Sequence, residues 1–249
     1  MSNPKVENAI GLYMDGIRDG RPREAVTKYT GARYTQHSTG VKDGVEGFVE
    51  FFEGFLARTP VRDIRVVRSL VDDRYVFLQA YQSLNNGEYE YVTTDFFDTD
   101  EDDRIIEHWD VISLYSAQTP SGHTAIDGPT AVTDLDKTEA NKALVRSMIT
   151  DLLMPGGDAS RAREYLSADR YIQHGETSLT APDRSLSYRE IVLLVGQGSF
   201  VATLCRADRE GAEYARVDLF RVEDGEVVEH WDNVEPVPPR EEWVNSGKF

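Results

Sequence analysis

The chain has 249 residues, of which 40% are hydrophobic and 10% aromatic, so it can bury one large core or two of ordinary size. Its net charge of −17 is shared by both halves, and such an acidic surface repels phosphate backbones and anionic lipid. We therefore expect no nucleic-acid partner and no membrane partner. The first residues lack the apolar segment of a signal peptide, which leads us to expect a cytoplasmic protein.

The first half predicts three helices followed by four strands. Apolar residues at helical spacing predict a helix from about Pro4 to Gly20, and residues 23–29 predict a shorter one. The third helix begins near Asp43 and ends before Pro60. Turn signals and alternating residues predict strands over residues 64–70, 74–84, 89–97 and 104–115. Helices followed by consecutive strands are typical of an α+β domain, and differ from the alternation of a nucleotide-binding sheet.

The second half restarts the same order. Residues 119–137 are rich in Pro, Gly, Ser and Thr and predict a linker. A helix over residues 138–153 and a short helix over 161–166 follow. We therefore divide the chain into a complete domain over residues 1–118, the linker, and a shortened domain over residues 138–249.

Three short motifs occur twice, which indicates two copies of one domain. The pairs are Tyr34-Thr35-Gln36-His37 with Tyr171-Ile172-Gln173-His174, Asp95-Phe96-Phe97 with Asp218-Leu219-Phe220, and Glu107-His108-Trp109-Asp110 with Glu229-His230-Trp231-Asp232. Four of the five histidines lie in these motifs. The offset between the copies falls from 137 residues at the first pair to 123 at the second. The second copy therefore lacks a stretch that corresponds to the aromatic third helix.

The last motif carries residues suited to acid–base chemistry. Neighbouring residues of a strand alternate faces, so His108 and Asp110 point to one side of the sheet, while Glu107 and Trp109 point to the other. A carboxylate that faces an apolar cavity holds its proton nearer neutrality. An adjacent imidazole can accept that proton or bind an enolate oxygen. We expect Asp110 and His108 to form such a pair.

Other residues of the first copy are expected to reach the same cavity. His37 and Asp95 would add two further catalytic groups. The expected pocket wall consists of Tyr34, Phe48, Phe52, Phe55 and Tyr91. The equivalents of the catalytic residues in the second copy are His174, Asp218, His230 and Asp232.

The same residues also have a structural interpretation. A His-x-Asp pair on a strand is often a hydrogen-bonded pair that fixes the sheet, and the aromatic helix face fits ordinary core packing. A metal site made of His37, His108 and Asp110 has no supporting spacing, and the acidic run at residues 98–103 lacks the glycine of a calcium loop. Phosphate-binding loops and dinucleotide fingerprints are absent from the sequence. We therefore expect no metal and no cofactor.

Together, these motifs resemble a SnoaL-like domain of the nuclear-transport-factor-2-like superfamily. The first half resembles it throughout, including the stretch Asp43-Gly44-Val45-Glu46-Gly47-Phe48. The second half resembles it at its three motifs and departs where the glycine-led helix should begin. The last residues, 243–249, resemble the C-terminal tail of the family.

The resemblance implies an α+β fold of two tandem cone-shaped α+β barrels, each a curved mixed sheet with covering helices, with the second copy shortened. Cyclases of the family perform intramolecular aldol condensations without a cofactor, using an Asp with a His nearby. On this chain the resemblance implies Asp110 as the general acid/base and His108 and His37 as its partners. It also implies that the two copies pair as an internal pseudo-dimer, and it leaves a further homodimer open.

Two functions fit this sequence. The first is a cofactor-independent lyase or isomerase, similar to an aldol cyclase, that acts on a small apolar carbonyl compound such as a polyketide. The second is a non-catalytic protein on the same fold that binds a small apolar molecule or serves in assembly, which the shortened second copy favours. The fold alone does not decide between them. A hydrolase comes third, because the sequence has no obvious Asp-Arg-Asp set.

Overall fold

A computed structural model of the chain describes residues 3–175, 178–180 and 185–249. The chain divides into two compact units. Unit 1 consists of Met1–Leu114 together with Val237–Phe249, and unit 2 consists of Tyr115–Pro236. The segment that follows the last strand of each sheet therefore belongs to the other unit.

These units differ from the predicted domain boundaries in two places. Residues 119–137, predicted as a linker, lie within unit 2, and residues 237–249, predicted as part of the second domain, lie within unit 1. Specific hydrogen bonds account for the second difference. Val244 N donates to Thr39 O at 3.0 Å, and the Asn245 side chain donates to two backbone oxygens of the loop after the first strand.

Three helical segments begin unit 1. α1 spans Pro4–Gly11 and begins at an N-cap, since the Asn3 side chain accepts from the Lys5 backbone N–H at 3.0 Å. It continues as a π-helix over Leu12–Arg18, so the single helix predicted for this region changes its winding halfway. The remaining helices are α2, Pro22–Tyr29, and α3, Gly44–Arg58.

The sheet of unit 1 has five strands in the order β1-β5-β4-β3-β2. The strands are β1 Thr30–Gln36, β2 Arg62–Asp72, β3 Tyr75–Leu84, β4 Tyr89–Thr99 and β5 Ile105–Leu114. β1 runs parallel to β5, and the other neighbours are antiparallel. The helices pack on one face of this sheet, where Val26, Phe48 and Leu78 belong to one buried core.

Unit 2 repeats this topology in the strand order β6-β10-β9-β8-β7. Its helices and strands are α4 Thr138–Leu152, a 3₁₀ turn over Ala159–Glu164, β6 Ile172–Gln173, β7 Leu186–Gln197, β8 Phe200–Arg209, β9 Ala212–Glu223 and β10 Glu226–Pro236. Its core includes Met148, Val201 and Phe220.

The predicted class, α+β with two mixed sheets, is confirmed. Within the described residues, β1 and β2 are the edges of one sheet, and β6 and β7 are the edges of the other. Both sheets are therefore open, and the prediction of closed barrels is wrong. Between β6 and β7 the described residues contain no counterpart of α3. Residues 176–177 and 181–184 lie outside the described part. No helix of the described part combines the length and apolar character needed to cross a bilayer.

Candidate active site

Unit 1 contains a pocket of about 130 Å³. The π-helical segment after α1 contributes Leu12, Tyr13 and Ile17 to its wall, and the aromatic face of α3 forms another side. Strands β4 and β5 provide its carboxyl and imidazole groups, which are Asp95, His108 and Asp110. The predicted wall residues Tyr34, Phe48, Phe52 and Phe55 line this pocket. Tyr91 does not; it lines a neighbouring groove, which shares Phe55, Gln82 and Ile112 with the pocket.

The alternation of strand residues decides which side chains enter the pocket. Asp95 of β4 is paired in register with Asp110 of β5, and Phe97 is paired with His108. All four line the pocket, and Gln36 at the end of β1, which is the register partner of His108, lines it as well. The predicted orientation of His108 and Asp110 toward one side of the sheet agrees with this geometry.

His108 is held between two hydrogen-bond partners, Gln36 and Asp95. Its Nδ1 donates to Gln36 Oε1 at 2.9 Å, and its Nε2 lies 3.0 Å from Asp95 Oδ1. The ring stacks on Phe97 with a centroid distance of 4.8 Å. Because Nδ1 carries a proton, the contact between Nε2 and Asp95 holds one shared proton, which lies on the imidazole or on the carboxyl group.

Asp95 is the carboxyl group with the most unusual surroundings in this pocket. It is 2% exposed, and within the described residues its Oδ2 is buried without a hydrogen-bond partner. Burial raises the pKa of Asp95; the hydrogen bond from His108 opposes this shift, and the negative charge of Asp110 adds to it. A buried carboxyl oxygen without a partner is costly, and such groups occur at functional sites.

Asp110 is held differently from what the sequence predicts. Lys248, which is 2% exposed, donates to Asp110 Oδ1 at 3.0 Å. Burial alone would raise the pKa of Asp110, but the ammonium group of Lys248 and the nearby His108 lower it below its usual value. The prediction that Asp110 holds its proton nearer neutrality is therefore wrong. Of these two carboxyl groups, Asp95 is the one whose pKa is raised.

His37 does not reach the pocket, and this corrects the prediction that it shares the cavity with Asp110. It follows Gln36 directly, so it points to the opposite face of the sheet. There its ring stacks on Trp109 at 4.6 Å. Its Nδ1 donates to Gly247 O at 2.7 Å, and its Nε2 lies 2.8 Å from Glu107 Oε1. Nδ1 thus contacts the segment 237–249 of unit 1, and Nε2 contacts a residue of strand β5.

Sequence reasoning missed two residues of this site. Gln36 occurs in both copies of its motif, and that repetition was the available signal for its role beside His108. Its Nε2 also donates to the Tyr34 hydroxyl at 2.9 Å. Lys248 lies outside the three repeated motifs and far from Asp110 along the chain, so no sequence pattern linked the two residues.

The equivalent residues of unit 2 form a closed network. His230 Nδ1 donates to Gln173 Oε1 at 2.8 Å, and its Nε2 lies 2.8 Å from Asp218 Oδ1. The guanidinium of Arg216 binds Asp218 at 2.9 Å and Asp232 at 2.9 Å. Tyr188 donates to the second oxygen of Asp218 at 2.9 Å. Both oxygens of Asp218 therefore have partners.

One substitution accounts for much of the difference between the units. Arg216 lies two residues before Asp218, and Thr93 lies two residues before Asp95. Burial would raise the pKa of Asp218, but the charge of Arg216 and the hydrogen bond from His230 lower it to about 2. His174, like His37, lies on the opposite face, stacked on Trp231 at 4.5 Å.

No protein-family model matches the chain, and no curated protein matches it. Solved structures do. A candidate polyketide cyclase from Bacillus cereus ATCC 10987 is 16% identical, and the match covers 44% of this chain and 74% of that one with a TM-score of 0.40. IdmH, a candidate polyketide cyclase from Streptomyces antibioticus, is 14% identical over 45% of this chain and 93% of that one, with a TM-score of 0.39.

A candidate SnoaL-like polyketide cyclase from Jannaschia sp. CCS1 is 17% identical over 44% of this chain and 85% of that one, with a TM-score of 0.38. The family named by this structure is the one that the sequence motifs resemble. Each match spans less than half of this chain, so it does not test the tandem arrangement. At identities of 14–17%, nothing about activity follows from these likenesses.

Proposed function

We propose that unit 1 is a cofactor-independent lyase or isomerase, similar to an aldol cyclase, that acts on a small apolar carbonyl compound. One observation carries this proposal. Oδ2 of Asp95 is buried at the pocket without a hydrogen-bond partner in the described residues, whereas the same oxygen of Asp218 in unit 2 accepts from Tyr188. A substrate proton is a suitable partner for such an oxygen.

Asp95 is the proposed general base. In its ionised form, Oδ2 removes a proton from the carbon next to the substrate carbonyl, and burial makes this carboxylate a stronger base than an exposed one. His108 orients Asp95 through Oδ1, which leaves Oδ2 directed to the substrate. The resulting enolate carbon either attacks a second carbonyl, as in an aldol cyclisation, or takes the proton back at another position, as in an isomerisation.

Tyr34 is the proposed donor to the enolate oxygen. Its hydroxyl accepts from Gln36 Nε2, so its own proton is available for a substrate oxygen. Burial raises the pKa of Tyr34 well above its usual value, which keeps the hydroxyl protonated. A preorganised donor of this kind stabilises negative charge as it develops.

Asp110 and Lys248 are proposed to position and tune this pair. The ionised Asp110 raises the pKa of Asp95 through its charge, and Lys248 keeps Asp110 ionised. The role of acid/base, which the family resemblance implies for Asp110, is therefore assigned to Asp95.

Non-catalytic binding of a small apolar molecule is the second candidate function. It is supported by unit 2, where the same His, Gln and Asp residues form a network with every oxygen of Asp218 engaged. The motif can therefore have a purely structural role, and in this second function the apolar wall of unit 1 binds a small molecule without catalysing a reaction.

Proton exchange distinguishes the two functions. We would incubate the protein with a panel of small apolar ketones in heavy water and follow both ligand binding and deuterium entry next to the carbonyl by NMR. An enzyme of the proposed type exchanges that proton even when the full reaction does not proceed. Ketones that bind in the pocket without any exchange above the buffer rate would reject catalysis and favour the binding protein.

A further inference from the structure

We propose that unit 2 binds a divalent transition-metal ion through His123, Asp127 and His174. The candidate ligand atoms of these three side chains all lie within 4.8 Å of one another. His174 Nδ1 lies 2.7 Å from one oxygen of Asp127, and His123 Nδ1 lies 3.3 Å from the other. Two imidazoles and one carboxylate on different parts of the chain thus converge on one point.

His37 in unit 1 serves as an internal reference for His174. Both rings stack on the Trp of the repeated motif, at 4.6 and 4.5 Å. The nitrogens of His37 have short contacts of 2.7 and 2.8 Å. His174 differs, since its Nδ1 lies 2.7 Å from an oxygen of Asp127 and 3.2 Å from Thr124 O, while its Nε2 lies 3.7 Å from Glu229 Oε2. The Nδ1 atom of His174 therefore faces a carboxylate where that of His37 faces a backbone oxygen, and its Nε2 lacks the short contact that His37 has.

The far side of the His174 ring fits the outer shell of a metal site. Within the described residues, His174 Nε2 and Glu229 Oε2 are both buried without a hydrogen-bond partner. Metal-bound histidines commonly donate their other ring N–H to a carboxylate, which orients the ring and increases its basicity. With a metal on Nδ1, the Nε2–H of His174 would face Glu229 in this way.

The backbone around Asp127 is fixed beside His174. Trp231 Nε1 donates to Asp127 O at 3.0 Å. Gly128 has a φ of +93°, and a Cβ there would lie 2.9 Å from Glu229 Oε2 and 2.9 Å from the Trp231 ring. Only glycine lets the chain pass at this distance in this conformation. These contacts fix the backbone of Asp127 beside His174, independently of any ion.

The ligand set selects a class of ion. Imidazole and carboxylate together suit borderline ions such as Zn²⁺ or Co²⁺, whereas Mg²⁺ and Ca²⁺ prefer oxygen ligands. The side chains of His123 and Asp127 are each 41% exposed, so they can close on the ion and leave a position for water. The corresponding segment of unit 1, residues 237–249, contains no histidine and no aspartate, and the residue that contacts His37 there is Gly247.

Titration calorimetry of the full chain with Zn²⁺ tests this site, with Co²⁺ absorption as a second readout. We expect one tight site per chain, no competition by Mg²⁺, and an affinity at least roughly tenfold lower in His123→Ala and in Asp127→Asn. Asp136→Asn, an exposed aspartate of the same unit, is the matched control and should bind as the wild type does. Zn²⁺ should also raise the melting temperature of the wild type but not of the two variants. Equal Zn²⁺ affinity in all four proteins, or no stoichiometric binding, would overturn the proposal.

Discussion

Asp95 and Asp218 occupy equivalent strand positions, and each contacts a histidine that is itself bonded to a glutamine. Their remaining surroundings are opposite. Asp218 receives a guanidinium and a tyrosine hydroxyl, whereas the second oxygen of Asp95 has no partner within the described residues. Neighbouring groups rather than residue type thus decide which carboxyl group can react, since the environment sets the pKa.

The raised pKa of Asp95 predicts a pH dependence of stability. The folded state binds more protons than the unfolded state between the ordinary Asp pKa of about 3.9 and the raised value. The wild type should therefore lose stability relative to Asp95→Asn as pH rises through this window. Urea unfolding of both proteins at a series of pH values measures the difference. A difference that does not change with pH would show that the pKa of Asp95 is not raised.

Asp218 predicts the opposite behaviour at acidic pH. Its folded-state pKa of about 2 lies below its unfolded value, so its contribution to stability is present above the unfolded pKa and is lost as pH falls through that window. Asp218→Asn should flatten this acid-induced loss in urea unfolding experiments. An unchanged acid limb in Asp218→Asn would contradict the assigned ion pair with Arg216.

At the scale of structural elements, the segment Val237–Phe249 completes the site of unit 1. It delivers Lys248 to Asp110 and a backbone oxygen of Gly247, whose φ is +112°, to His37. These two contacts lie on residues that project to opposite faces of the sheet. The segment therefore contributes to both the stability and the electrostatics of unit 1.

Removing the Lys248 charge should destabilise the protein. Lys248→Met leaves Asp110 buried without its ion pair, which costs about 3–5 kcal/mol of unfolding free energy. The double variant Lys248→Met with Asp110→Asn should recover most of this loss, because neither member of the pair then carries a charge. Lys42→Met, which breaks the exposed pair with Glu50, is the matched control and should cost about 0–1 kcal/mol. Equal effects of Lys248→Met and Lys42→Met would show that the buried pair does not form in solution.

Local patterns predicted the elements well where they carried periodicity. The aromatic face of α3 and the alternation of His108 and Asp110 followed from spacing alone, and the four long strands of unit 1 lie within a few residues of their predicted bounds. The face of His37 was missed because the prediction did not apply the same alternation to Gln36 and His37. The positions of Lys248, His123 and Asp127 depend on which unit residues 237–249 and 115–137 join, and no local pattern encodes that.

At the scale of the whole molecule, one topology appears twice with different polar interiors. In unit 2, Arg216 lies between Asp218 and Asp232 and binds both. The equivalent residue of unit 1, Thr93, is shorter, and its hydroxyl forms a hydrogen bond with Tyr13 at 2.6 Å. The aromatic helix α3 lines the pocket of unit 1, and the described residues of unit 2 contain no counterpart. We therefore propose different functions for the two units: a catalytic pocket in unit 1 and a metal site in unit 2.

An arginine at position 93 should give Asp95 the ion pair that Asp218 has in unit 2. In Thr93→Arg, the new guanidinium lies on the same strand face as Asp95 and can bind it as Arg216 binds Asp218. We expect a lower pKa of Asp95 and loss of ketone binding and proton exchange, measured by NMR, while the protein remains folded by circular dichroism. Thr93→Ser keeps the hydroxyl and should keep both properties. Full exchange in a folded Thr93→Arg protein would argue against Asp95 as the base.

Asp95 is proposed to transfer a proton, whereas Asp218 has a structural role, and paired variants of the two residues distinguish these roles most directly. We would measure ketone proton exchange and thermal unfolding for the wild type, Asp95→Asn and Asp218→Asn. Asp95→Asn should lower the exchange rate by about 10²–10⁴-fold with no loss of melting temperature. Asp218→Asn should retain exchange and lose stability by about 3–5 kcal/mol, because it leaves Arg216 with a broken buried pair. Undiminished exchange in Asp95→Asn, or equal loss of exchange in both variants, would contradict the account.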